Sequence, residues 1–146
     1  MLRSAFLILL VAVLAGCGGG GGSDRLAADE YRQKADQICR DANAKIAAVE
    51  TPQTAAGVRE AAGKVKPIVE DAVADLKKLE PPKELEANVD KWMDQNDRLI
   101  DGIEEIKNTK SEQELQSVGK EYSALNDESN ATAKQLGLVE CAKGSD

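Results

Sequence analysis

The sequence predicts an all-α fold, an up-and-down antiparallel four-helix bundle with a C-terminal tail clipped by one disulfide. Three observations carry the bundle. Apolar residues recur at steps of three and four in four successive stretches, each of roughly 25 residues. The breaks between those stretches are short and hold prolines or a capping motif, which makes consecutive helices antiparallel neighbours. No strand-like alternation competes with the helical period.

The first helix is expected from Asp24 or Asp29, either of which could cap it, to about Glu50. Tyr31, Ala35, Ile38, Ala42, Ile46 and Val49 share one face, with Cys39 at its edge. Thr51-Pro52 ends the helix, because a residue before proline avoids the α region. The second helix, over residues 54–79, carries a heptad-like seam of Val58, Ala62, Val65, Val69, Ala72, Leu76 and Leu79. Pro67 cannot donate to the carbonyl of Gly63 and crowds it. The apolar register nevertheless runs through Pro67, which predicts one kinked helix rather than two.

Pro81-Pro82 forces a stop, and Pro82 suits the first turn of the third helix, expected to end near Lys107. Its seam is Leu85, Val89, Trp92, Asn96, Leu99, Ile103 and Ile106, widened by Met93 and Ile100. Ser111 and Glu114 form a capping box for the fourth helix. That helix presents Leu115, Val118, Tyr122, Leu125, Ser129, Thr132 and Leu136, and Gly137 stops it. Ala35, Ala42, Ala62 and Ala72 keep the seams narrow enough for close helix approach.

Three side-chain sets could carry function. Asp90, Asp94, Asp97, Asp101 and Glu104 stack along the third helix at steps of four and three. A straight stripe spreads its carboxylates over about 20 Å, whereas a hard cation wants them converging, so Asp94, Asp97 and Asp101 are weak metal candidates on a solvated face. Asn96 interrupts an apolar seam, either to fix helix register with Ser129 and Thr132 as partners or to meet a ligand. Trp92 and Tyr122 lie on the same faces and are core residues or the walls of such a pocket.

The chain of 146 residues carries a net charge of −7 and no histidine. An acidic chain argues against nucleic acid and against electrostatic docking on anionic headgroups. Without histidine the usual general base is missing, and no side chain stands in a recognisable nucleophile setting, so no enzyme is expected. No cofactor motif is present.

The first residues carry their own signal. Arg3 precedes an unbroken apolar run over residues 5–14, followed by small residues, the pattern of an export signal. The run is shorter than the about 20 residues a bilayer span needs. Leu14-Ala15-Gly16-Cys17 resembles a bacterial lipobox, and residues 18–22 are glycines followed by Ser23. The resemblance implies that residues 1–16 are removed, that Cys17 receives acyl chains, and that residues 17–23 are a flexible tether to a bundle domain over residues 24–146. Loss of Arg3 would take the net charge from −7 to −8. Two or more acyl chains anchor stably where one does not.

With Cys17 so used, Cys39 and Cys141 are the remaining pair in an exported chain, where a disulfide is the expected state. Inert buried thiols and a metal site are the alternatives, and a metal site lacks further soft or imidazole ligands. Asn130-Ala131-Thr132 matches a glycosylation acceptor but has no bearing on a bacterial lipoprotein.

Taken with Tyr31, Ala35-Asp36 and Ile38-Cys39, the break Leu79-Glu80-Pro81-Pro82 and the ending Leu136-Gly137-Leu138-Val139-Glu140-Cys141, the chain resembles small exported bacterial lipoproteins of actinobacterial type. That resemblance implies an anchored helical domain on the extracytoplasmic face of the cell membrane and assigns it no activity. Two functions follow as expectations. One is a non-enzymatic interaction module for an envelope protein partner, with a closed core and an exposed patch. The other is a binding or sensing domain for a small solute or cation, with a cavity around Asn96, Trp92 and Tyr122.

Overall fold

The computed structural model describes residues 25–143. The expected signal segment, Cys17 and the glycine tether lie outside the described residues. Four helices follow one another: α1 (Ala28–Ala47), α2 (Ala55–Leu76), α3 (Lys83–Asn108) and α4 (Glu112–Gln135). No strand is present among the described residues. No described helix is long and apolar enough to cross a membrane.

The helices alternate in direction. Three contacts fix the antiparallel register of α2 and α3: Lys77 meets Asp97 at 2.6 Å, Lys66 meets Glu104 at 3.8 Å, and Arg59 Nε donates to Thr109 Oγ1 at 3.0 Å. As the number rises on one helix it falls on the other. Packing runs α1 on α2, α2 on α3 and α3 on α4, while α1 and α4 make no comparable approach.

Helix ends follow local chemistry with some departures. Thr54 accepts from the Gly57 amide at 3.0 Å, and Ser111 Oγ accepts from the Glu114 amide at 3.1 Å. The reciprocal arm of the capping box reaches one residue further than expected, Glu114 Oε2 accepting from the Lys110 amide at 2.7 Å. Pro67 lies inside an uninterrupted α2, so the second segment stays one helix. The start of α1 is a correction. Asp29 lies inside the first turn, Ala27 holds the cap position with no side-chain bond, and Asp24 is outside the described residues. The segment that leads into α1 is held by the α2–α3 connection instead. The Leu26 amide donates to Glu80 O at 2.9 Å, and Arg25 donates to Pro81 O at 2.9 Å and Glu86 Oε1 at 2.7 Å.

At its other end the chain closes back on α1. Gly137 has φ +78°, and its amide donates to Lys134 O while that of Leu138 donates to Ala133 O, a Schellman stop. Residues 138–143 then run along α1. Asp36 accepts from the amides of Val139, Glu140 and Cys141 at 3.0, 2.8 and 3.3 Å, and Cys39 and Cys141 form a disulfide with Cα atoms 5.0 Å apart.

The core is concentrated at this tail end. Tyr31 and Ala35 of α1 pack with Leu76, Val89, Trp92, Met93, Ala133, Leu136, Leu138 and Ala142. Full burial of each large side chain in it contributes about 1.5–3 kcal/mol. All four helices, this cluster and the disulfide fall within residues 25–143, so a chain of residues 23–146 holds every packing contact described here.

Candidate functional site

Burial fades along α1. Tyr31 and Ala35 are fully buried, whereas Ile38, Ala42, Ile46 and Val49, on the same apolar face, are half-buried. The facing seam of α4 behaves alike: Leu136, Thr132 and Ser129 are buried, and Leu125, Tyr122, Val118 and Leu115 are half-buried. Both gradients have one cause. The helices meet at the tail end, where the disulfide and Asp36 hold them, and leave a gap between them toward the far end.

That gap is a cleft. Its inner chamber, about 120 Å³, lies among Val69, Ala72 and Val73 of α2, Trp92, Asn96 and Leu99 of α3, and Tyr122, Asn126, Ser129 and Asn130 of α4. Asn43 and Ile46 of α1, with Lys143 of the tail, stand where the chamber opens into a second hollow of about 480 Å³. That outer hollow lies between α1 and α2, bounded by Val49, Glu50, Thr51, Pro52, Ala61 and Val65, and its size is that of a small-molecule site.

The structure thus brings Asn96, Trp92 and Tyr122 together on one chamber. Trp92 is 2% exposed and forms the floor. Asn96 takes neither expected partner: its Nδ2 donates to Trp92 O at 2.7 Å, and Thr132 Oγ1 donates within α4 to Glu128 O at 3.1 Å. The side-chain bond that Asn96 makes is therefore within its own helix and not across to α4. The Tyr122 ring lies on Gly102 of α3, where a Cβ would stand 3.1 Å from its Cδ2. Burial pushes the Tyr122 phenol up from its ordinary pKa, so it is neutral and a hydrogen-bond donor at neutral pH.

Sequence reasoning missed Asn43, Val73, Asn126 and Lys143 as members of the chamber and read Asn130 only as part of a glycosylation pattern. Asn126 and Asn130 continue the row begun by Tyr122 at steps of four, and both are half-buried side chains on the chamber wall. Their spacing from Tyr122 was the available signal. At the mouth, Asn43 Nδ2 donates to Glu140 O at 3.1 Å, and Lys143 pairs with Glu140 at 2.5 Å. The Lys143 ammonium, hydrogen-bonded to Glu140 and helped by Arg40, holds that carboxyl below the usual carboxylate range.

The acidic stripe is elsewhere and does not converge. Asp94 and Asp97 border a groove of about 520 Å³ between α2 and α3, shared with Arg25 and Lys77, and both Asp97 oxygens accept from Lys77 at 2.6 and 2.8 Å. Asp101 borders a different hollow beside Arg98 and Glu121. Among the described residues no three cysteine, histidine or carboxylate side chains are grouped to hold a metal ion. Cys39 and Cys141 are joined to each other, and Cys17 lies outside the described residues. No protein-family model, curated protein or solved structure matches the chain.

Proposed function

We propose that this chain is a lipid-anchored, extracytoplasmic binding domain whose α1–α4 cleft receives a small molecule, and that it is not an enzyme. The observation that carries this reading is the chamber itself. Trp92, Asn96 and Tyr122 share it with the half-buried carboxamides of Asn126 and Asn130, and it opens into a hollow of ligand size. A structural bundle has no need of such a gap, because packing α1 on α4 along their full apolar faces would bury Ile46, Val49, Leu115 and Val118.

Residence outside the cytoplasm rests on two independent features. The Leu14-Ala15-Gly16-Cys17 sequence supplies an anchor in the bilayer, and the Cys39–Cys141 bridge belongs to an oxidising compartment. The acidic balance leaves nucleic acid without a surface to bind. The second reading, an interaction module for an envelope protein, has less to stand on. Among the described residues Val139 is the one large apolar side chain left exposed, at 65%.

Thermal unfolding of residues 23–146 against divalent cations, amino acids, sugars and short-chain lipids tests the reading. A ligand at about 100 times its Kd stabilises by about 2.7 kcal/mol, a shift of several degrees at this size. The expected shift disappears in Ala42→Leu, which narrows the cleft. A shift lost instead in Asp94→Asn with Asp97→Asn would move the site to the α2–α3 groove. No shift across the panel would replace the ligand with a protein partner, to be sought by crosslinking on intact cells.

A further inference from the structure

Resting on the cleft as a binding site, we propose that its ligand is an uncharged amphipath: an alkyl chain ending in a hydroxyl or carboxamide group, with that head read by Asn126 and Asn130. The argument starts from charge. The inner chamber has no ionisable side chain other than Tyr122, held neutral by burial, and Lys143 at the mouth, already paired with Glu140. A carboxylate or ammonium head entering here would lose water and meet no free counter-ion, which is the costliest way to bury a polar group.

The polar row defines what fits instead. Asn126 and Asn130 each present a carbonyl acceptor and two N–H donors on one face of α4, half-buried on the chamber wall. A hydroxyl or carboxamide both donates and accepts, so it can satisfy both faces of a carboxamide at once. A carboxylate only accepts, so it uses the N–H donors alone and leaves both carbonyl oxygens without a donor. Ile46, Val65, Val69 and Leu99 supply an aliphatic wall that suits an alkyl chain running outward from the chamber, with Glu50 and Thr51 at the α1–α2 side of the outer hollow.

Trp92 makes the test direct, because it is the chain's one tryptophan and it borders the chamber. Residues 23–146 are titrated at pH 7 with octanamide, 1-octanol and octanoate while Trp92 fluorescence is followed. The expected result is saturable binding of octanamide and 1-octanol, each at least tenfold tighter than octanoate. In Asn126→Leu with Asn130→Leu, a pair at half-buried positions whose folding is checked by its unfolding transition, octanamide should fall to within about twofold of octanoate. Octanoate binding as tightly as octanamide in the parent chain overturns the neutral head and leaves the cleft as a site. Unchanged octanamide affinity in the double variant overturns the role of Asn126 and Asn130. No saturable response to any of the three overturns the cleft itself.

Discussion

Gln95 is the most exposing test of how α3 is packed. It is 3% exposed, and among the described residues neither its Nε2 nor its Oε1 has a hydrogen-bond partner. It lies on the flank of α3 that also carries Gly102, one heptad on, and Gly102 is where Tyr122 of α4 packs. A buried polar group left without a partner costs about 1–3 kcal/mol, and replacing it by an apolar group of the same shape removes that cost. Gln95→Met keeps length and flexibility while discarding both polar atoms. Taking the lower part of the range for the two atoms together, the substitution should stabilise by about 2 kcal/mol. For a domain of this size that is a rise in Tm of about 6–10 °C. Thermal unfolding followed by helical ellipticity on residues 23–146 reads it, with Gln95→Leu as a second variant. A fall in Tm in both variants would refute the reasoning, since it would mean that the carboxamide is engaged in the folded protein.

Other expectations rest on single residues. Burial pushes the Tyr31 phenol up to about 12, while an exposed tyrosine ionises near about 10. Its contribution is therefore intact below pH about 10 and lost as pH rises through about 12, up to about 3 kcal/mol in all. Denaturant midpoints should fall more steeply between pH 10 and 11.5 in the parent than in Tyr31→Phe, which at pH 7 is neutral or stabilising because the hydroxyl has no partner among the described residues. Gly137→Ala forces a side chain into φ +78° and against Arg32 Nε at 2.9 Å, and should cost about 1–2 kcal/mol. Gly119→Ala, with nothing within 4 Å inside α4, should gain about 0.5–1 kcal/mol in the same unfolding assay. Reduction of the Cys39–Cys141 bridge, spanning 102 residues, should cost as much as about 4–5 kcal/mol; an unchanged Tm on reduction would contradict its role in holding the tail.

The number, order and approximate bounds of the helices were legible, because Val58 to Leu79 and Leu85 to Ile106 keep a helical period that no strand can share. Ser111 and Gly137 were legible because their effects act within a few residues of chain. What was hidden is long-range. The entry into α1 is fixed by Glu80 and Pro81, and the tail by Asp36, contacts that no local pattern encodes. The polar residue in the α3 seam illustrates the limit well. A single-face seam selects Asn96, but α3 packs on both α2 and α4, so its buried stripe widens to include Gln95 and leaves Asn96 half-buried on the cleft. The cleft itself was expected only as one of two possibilities. Ile46 has the hydrophobicity of a core residue, and only the weak α1–α4 approach leaves it half-buried as a wall.

The central claim is that a small molecule occupies the chamber between α1 and α4. Amide chemical-shift mapping of ¹⁵N-labelled residues 23–146 during an octanamide titration tests it most directly. The cleft reading predicts that the Trp92 indole and the side-chain amides of Asn126 and Asn130 shift together and saturate, while Gly63 and Gly119 stay still. Shifts centred on the Asp94–Asp97 groove or on Val139, with Trp92 unmoved, would contradict it.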